Sequence, residues 1–198
     1  MTTYNQLAGL RVNYVSSDPT LNTGNEGQVW YNSTSGTLKS LVQIKAWSAG
    51  SNMTTARSAL AGAGTQTAGL AFGGSIPPLF STTTNVTEEY DGSTWSPGGN
   101  LGTSRRNLSS MGTGTQTAGL AIGGFVPPAT YLSSTEEYNG SSWSVGGNLA
   151  TARYGIGGAG TQTLGLGFGG YSATGNSNAT EEYSGAALVT KTITTSTS

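Results

Sequence analysis

Cysteine and histidine are both absent from this chain of 198 residues. Their absence excludes disulfides and any metal site built on thiolate or imidazole ligands. The commonest general base of enzymes is missing with them. Charge is scarce too: 8 basic and 9 acidic residues leave a net charge of −1. No basic patch is available to neutralise phosphates, so no binding to nucleic acid is expected. Attraction to an anionic membrane is equally unsupported, and no apolar run approaches the ~20 residues of a membrane-spanning helix. The opening residues, Met1-Thr-Thr-Tyr-Asn-Gln6, have neither the charged nor the apolar part of a signal peptide. Asp18 and Asp91 are the only aspartates. A calcium loop draws several oxygen ligands from one stretch, so none is expected here.

What the chain does contain is periodic. Trp47, Trp95 and Trp143 are spaced 48 residues apart, and each opens a similar segment that ends in Arg57, Arg105 or Arg153. Each segment continues through Gly-Thr-Gln-Thr to a glycine pair: Gly73-Gly74, Gly123-Gly124 and Gly169-Gly170. Then comes Glu88-Glu89-Tyr90, Glu136-Glu137-Tyr138 or Glu181-Glu182-Tyr183. A fixed period of this length signals a repeat architecture. The 32 glycines and the 34% hydrophobic content therefore read as short strands and tight turns rather than disorder. Residues 47–198 divide into three repeats, about 47–94, 95–142 and 143–198, and residues 1–46 stand apart as a non-repeating attachment segment.

Four short strands are expected in each repeat. The first lies between the arginine and Gly-Thr-Gln-Thr. The second is Ala68-Gly-Leu-Ala-Phe72, in which large and small residues alternate as on a pleated strand. The third carries Glu-Glu-Tyr and the fourth begins at Trp. Asp91-Gly92 and Asn139-Gly140 read as two-residue hairpin turns needing positive φ. Two extra residues between Arg105 and Gly114 read as a change in loop length. Helix signals are nearly absent. In the first 46 residues, Leu10–Val15, Gln28–Tyr31 and Leu38–Ile44 have strand character, and Asn32–Gly36 reads as a hairpin loop joining the second and third.

Gly73, Gly74, Tyr90 and Trp95, repeated as Gly123, Gly124, Tyr138 and Trp143, resemble the kelch motif of β-propellers. The third copy keeps Gly169, Gly170 and Tyr183 but has Ala186-Ala-Leu-Val189 where the Trp belongs. The resemblance implies an all-β, propeller-type fold with one four-stranded blade per repeat. It implies that the glycine pairs pack closely and that Tyr and Trp fill the space between blades. It also allows Arg57 to pair with Glu88 or Glu89; the alternative is solvated charges on alternate faces. Three blades are fewer than a closed propeller usually has. The closure left open is a fourth blade from the terminal strands, including Leu188–Ile193, a ring of two chains, or a three-sheet prism. A second resemblance lies in Gly27–Lys39, which is similar to a short module of bacteriophage virion proteins. It implies a structural protein in the tail, fibre or capsid surface, assembled in the host cytoplasm, with itself and other virion proteins as partners.

Three features invite a chemical reading. Paired carboxylates serve glycoside hydrolysis when suitably separated, but neighbours on a strand point to opposite faces, so a structural role is expected for the Glu-Glu pairs. Gly155-Ile-Gly-Gly-Ala-Gly160 fits a dinucleotide fingerprint yet runs into another strand rather than a helix. Six Asn-x-Ser/Thr sequons, at Asn32, Asn52, Asn85, Asn107, Asn139 and Asn178, are expected by chance in so Ser/Thr-rich a chain. The segments after each glycine pair instead carry aromatics in polar loops. Phe80, Phe125, Tyr131 and Tyr171 are the candidate contacts for a partner subunit or a host-surface glycan. No cofactor and no catalysis are expected.

Overall fold

The computed structural model describes residues 6–7, 10–20, 27–42, 46–78, 81–111 and 114–185. Among them are seventeen strands and no helix. The all-β expectation holds. Contacts divide the chain into two compact units, Met1–Ala49 and Gly50–Ser198.

In the first unit β1 (Gln6–Leu7) pairs with β2 (Leu10–Arg11). A second sheet joins β3 (Asn13–Val15), β4 (Val29–Asn32) and β5 (Thr37–Ser40), with β3 parallel to β4 and β4 antiparallel to β5. Asn32 shapes the expected hairpin, its side-chain oxygen accepting the amides of Thr34 and Ser35. The amide nitrogen of that side chain donates to Asp18, which also accepts Trp30 Nε1 and Lys39 Nζ. Three donors, Lys39 foremost, hold the Asp18 carboxyl well below the usual carboxylate range. Strand β5 ends at Ser40, short of the expected Ile44; residues 43–45 lie outside the described part. Trp47, expected to open the first repeat, falls in this unit with its side chain fully exposed.

The second unit holds three principal sheets. Sheet 1 is β6 (Ala61–Thr65), β7 (Ala68–Phe72), β8 (Thr87–Tyr90) and β9 (Trp95–Pro97), antiparallel in that order. Sheet 2 is β10 (Leu120–Val126), β11 (Thr130–Tyr138) and β12 (Trp143–Val145). Sheet 3 is β13 (Gly157–Gly160) and β14 (Leu164–Phe168), joined by β17 (Thr180–Ser184) after a small hairpin of β15 (Tyr171–Ser172) and β16 (Gly175–Asn176).

Four strands per repeat are thus seen only in sheet 1. In sheet 2, with two extra residues after Arg105, the first strand is reduced to an isolated bridge of Ser109 with Ile122. In sheet 3 the residues that would form the fourth strand, 186–198, lie outside the described part. The hairpin turns also differ from expectation. Tyr90 pairs with Trp95, so the loop has four residues, and of its first two only Gly92 has positive φ. Asp91 shapes it by accepting the amides of Ser93 and Thr94, and Asn139 does the same for Ser141 and Ser142. Those donors, Thr94 first, bring the Asp91 carboxyl down to about 2.

The core lies between the sheets. Leu70, Phe72 and Ala61 of sheet 1 pack with Leu101, Leu108, Ala121 and Tyr138, closed over by Trp143. Met111, Leu120, Ile122 and Ile156 repeat the arrangement one sheet on, with Leu149 and Tyr183 at their edge. Each large apolar side chain buried this way contributes about 1.5–3 kcal/mol. The glycine pairs make this spacing possible. Gly73 and Gly74 have φ of +66° and +108°, and a Cβ on Gly73 would lie 2.9 Å from the Arg105 carbonyl. Any other residue would be strained and would push the next sheet away.

Candidate contact surface

The repeated charges come first, since they are the groups best equipped for chemistry. Arg57 donates through Nη1 to the carbonyls of Gly73 and Val86 and through Nη2 to Glu88 at 2.9 Å. Arg105 makes the same set with Gly123, Ser134 and Glu136, and Arg153 with Gly169, Ala179 and Glu181. The second carboxylate oxygen accepts a backbone amide each time, from Thr54, Gly102 or Ala150. All three guanidinium groups are fully buried. Burial pulls the Arg57 and Arg105 groups below the ordinary arginine range, while their glutamates oppose the shift. For Glu88, burial acts to raise the carboxyl; the Thr54 and Thr55 donors and Arg57 outweigh it and leave it below its usual value. The pairing is therefore Arg57 with Glu88, not Glu89.

The second glutamate of each pair points to the other face, as strand alternation requires. Glu89 accepts the hydroxyl of Tyr138 at 2.5 Å, and Glu137 accepts that of Tyr183. Burial, then the bond to the carboxylate, push both tyrosines up to about 12. Trp143 packs tilted against Phe72 at 4.8 Å and donates Nε1 to Thr87, both in the preceding sheet. Trp95 leans on Tyr90 at 5.0 Å. Each Glu-Glu pair in sheets 1 and 2 is thus divided between a buried arginine of its own sheet and a tyrosine of the next. Gly157–Gly160 forms a strand followed by another strand, so the glycine fingerprint has no helix to serve it. Among the described residues no cluster of acidic groups is arranged to hold a metal ion.

The aromatics after the glycine pairs meet at the junction of sheets 2 and 3. Strands β10 and β11 continue past the bulge between Ile122 and Gly124, which sets Phe125 opposite Tyr131. Their rings touch edge to face at 5.5 Å. Tyr154 lies 5.5 Å from Phe125, 5.7 Å from Tyr131 and 5.5 Å from Tyr171, and Tyr131 stacks with Tyr171 at 6.3 Å. The Arg106 guanidinium covers Phe125 at 5.4 Å, a contact favoured by the electron-rich ring face. Tyr171 is the most exposed of the four rings, at 39%. Three expected contacts, Phe125, Tyr131 and Tyr171, are thus brought together; Phe80 lies outside the described residues.

Neither a protein-family model nor a curated protein is similar to the chain.

Tyr154 was not expected at this surface. The signal that locates it is positional. The residue after each repeat arginine bridges the residue after each glycine pair: Ser58 with Ser75, Arg106 with Phe125, Tyr154 with Tyr171. These positions change from one repeat to the next while the framework around them stays the same. In sheet 1, where the pair is Ser58 and Ser75, a cavity of about 230 Å³ lined by Ile76, Pro77 and Pro78 takes the place of the rings.

Proposed function

We propose that the chain is a non-enzymatic structural protein of a bacteriophage particle, a tail, fibre or capsid-surface component. Its three sheets act as propeller-type blades that present a contact surface, and residues 1–46 attach it to other virion proteins. The observation that carries this reading is the division of labour among its polar groups. The repeated arginines and their glutamates are buried in ion pairs, whereas the residues that vary between repeats gather at one surface. The wording of Gly27–Lys39 supports the virion class. The glycine pairs and the Trp143–Phe72 contact support the blade reading. Antibody raised against the second unit should decorate purified particles of the virus that encodes the chain, at a fixed site. Particles complete in their other structural proteins but lacking this chain would refute the assignment.

A second reading, a glycan-binding module, is favoured by one observation. Tyr131, Tyr154 and Tyr171 form a run of rings whose hydroxyls make no hydrogen bond among the described residues. Such faces stack on sugar rings. Binding on a glycan array that disappears in Tyr171→Ala supports it, and an array without signal removes it.

A further inference from the structure

Sheets 1 and 2, and sheets 2 and 3, are joined by one set of contacts used twice. The Gln116 side chain donates to the carbonyls of Gly69 and Tyr90 at 3.1 and 2.8 Å, and Gln162 donates to those of Gly119 and Tyr138 at 3.0 and 2.7 Å. Tyr138 bonds Glu89, and Tyr183 bonds Glu137. In the opposite direction, Gly74 donates its amide to the Arg105 carbonyl at 2.8 Å, and Gly124 to that of Arg153 at 2.9 Å. Every sheet therefore has a leading face, which offers Gln and Tyr, joined by Trp143 in sheet 2, and a trailing face of the kind that receives them. Three sheets make two such junctions, leaving one face of each kind over.

Both leftover faces carry the residue types of a junction. On the leading face of sheet 1, Gln66 is exposed. Neither its side chain nor the Tyr90 hydroxyl makes a hydrogen bond of the kind its counterparts make among the described residues. On the trailing face of sheet 3, Glu182 is exposed, and among the described residues it has no tyrosine such as Glu89 and Glu137 hold and the Gly170 amide has no counterpart of the Arg105 or Arg153 carbonyl. The apolar side of that face is open as well. Phe168 is 43% exposed, whereas its equivalents Phe72 and Ile122 are 0% and 3%, and Leu164, at the other end of β14, is 72% exposed.

We propose that a second copy of this chain docks head to tail, the leading face of its sheet 1 seated on the trailing face of sheet 3. Its Tyr90 donates to Glu182, its Gln66 to the carbonyls of Gly165 and Tyr183, and its Trp95 covers Phe168. The Gly170 amide meets the carbonyl of its Arg57. The occupant is named by the junctions within the chain: they show twice what fits this face, down to the equivalent residues. An interface between two different surfaces of one protein yields a ring where its rotation closes. Propellers hold about four to eight blades, and six is the only multiple of three in that range. Two copies therefore close a ring of six sheets. That count rests on the propeller reading; the junction itself does not.

Sedimentation velocity on the full chain at micromolar concentration tests both. A discrete dimer is expected. Phe168→Asp, and separately Gln66→Ala with Tyr90→Phe, should raise its dissociation constant at least about tenfold. Circular dichroism of each variant should be unchanged, because Gln66 and Phe168 are exposed in the single chain. The chain has no cysteine, so single thiols report orientation. A mixture of Gln66→Cys and Leu164→Cys chains should be joined by a short bis-maleimide, and Gln66→Cys alone should not. A monomer, an assembly indifferent to both sets of changes, or 66-to-66 cross-links would overturn the junction. Longer chains of copies would overturn the ring.

Discussion

Replacing Arg105 by methionine tests whether the buried ion pairs hold the sheets together. The guanidinium is fully buried, and the Glu136 side chain beside it is only 8% exposed. Removing the cation leaves a buried carboxylate with the Gly102 amide as its remaining partner, and breaking such a pair costs about 3–5 kcal/mol. That is a large part of the roughly 5–15 kcal/mol that holds a typical domain folded. Arg105→Met with Glu136→Met removes the stranded charge but still leaves the Gly123 and Ser134 carbonyls without their donor. The double variant should therefore recover only part of the loss and remain about 2 kcal/mol below the parent. Arg153→Met should be milder, about 2 kcal/mol, because the Glu181 side chain is 25% exposed and water can take over its solvation. Urea unfolding followed by far-ultraviolet circular dichroism gives all three values. An Arg105→Met loss below about 1 kcal/mol, or a double variant no better than the single, would show that the pair is hydrated and not structural.

Stability should be flat across neutral pH and fall on both sides. Tyr138 and Tyr183, raised to about 12, keep their proton more tightly when folded. Their contribution is complete below about pH 10 and is lost as pH rises from there to 12. Glu88 and Asp91 are lowered, so their contribution is complete above about pH 4.5 and is lost in acid. The double Tyr→Phe variant should flatten the alkaline limb of a melting-temperature profile, and an unchanged limb counts against the Glu–Tyr bonds. Trp143→Ala should cost about 3 kcal/mol, whereas Trp95→Ala should cost under about 1 in dilute monomer; equal losses refute the assignment of the two faces. A chain starting at residue 50 should keep its strand signal, and aggregation or loss of that signal would mean that the first unit is needed to fold the second.

Much of the architecture was legible in the repeats. The alternation of Ala68-Gly-Leu-Ala-Phe72 locates β7 to the residue, because a pleated strand between two packed layers sorts large from small side chains. The Arg–Glu pairing was also within reach, since both residues recur with the period. What stayed hidden depends on backbone partners or on context. Gly-Thr-Gln-Thr stands out in the sequence, yet its glutamines bond main-chain carbonyls, which carry no side-chain signature. Asp91-Gly92 has the composition of a two-residue turn, but the Asp91 side chain caps a loop twice as long. Trp47 has the spacing of Trp95 and Trp143 and none of their surroundings. Tyr154 follows a repeat arginine, where Ser58 and Arg106 stand in the other copies, so no aromatic pattern marks it.

The glutamine bonds between sheets have a bearing on how such a chain changes over generations. Each glutamine recognises only peptide carbonyls, and those are the same whatever side chains a neighbour carries. Recombination that duplicates or deletes one period therefore produces a joint that already works, with no compensating substitution required. The rings after the glycine pairs are then free to diverge while the joint is inherited intact.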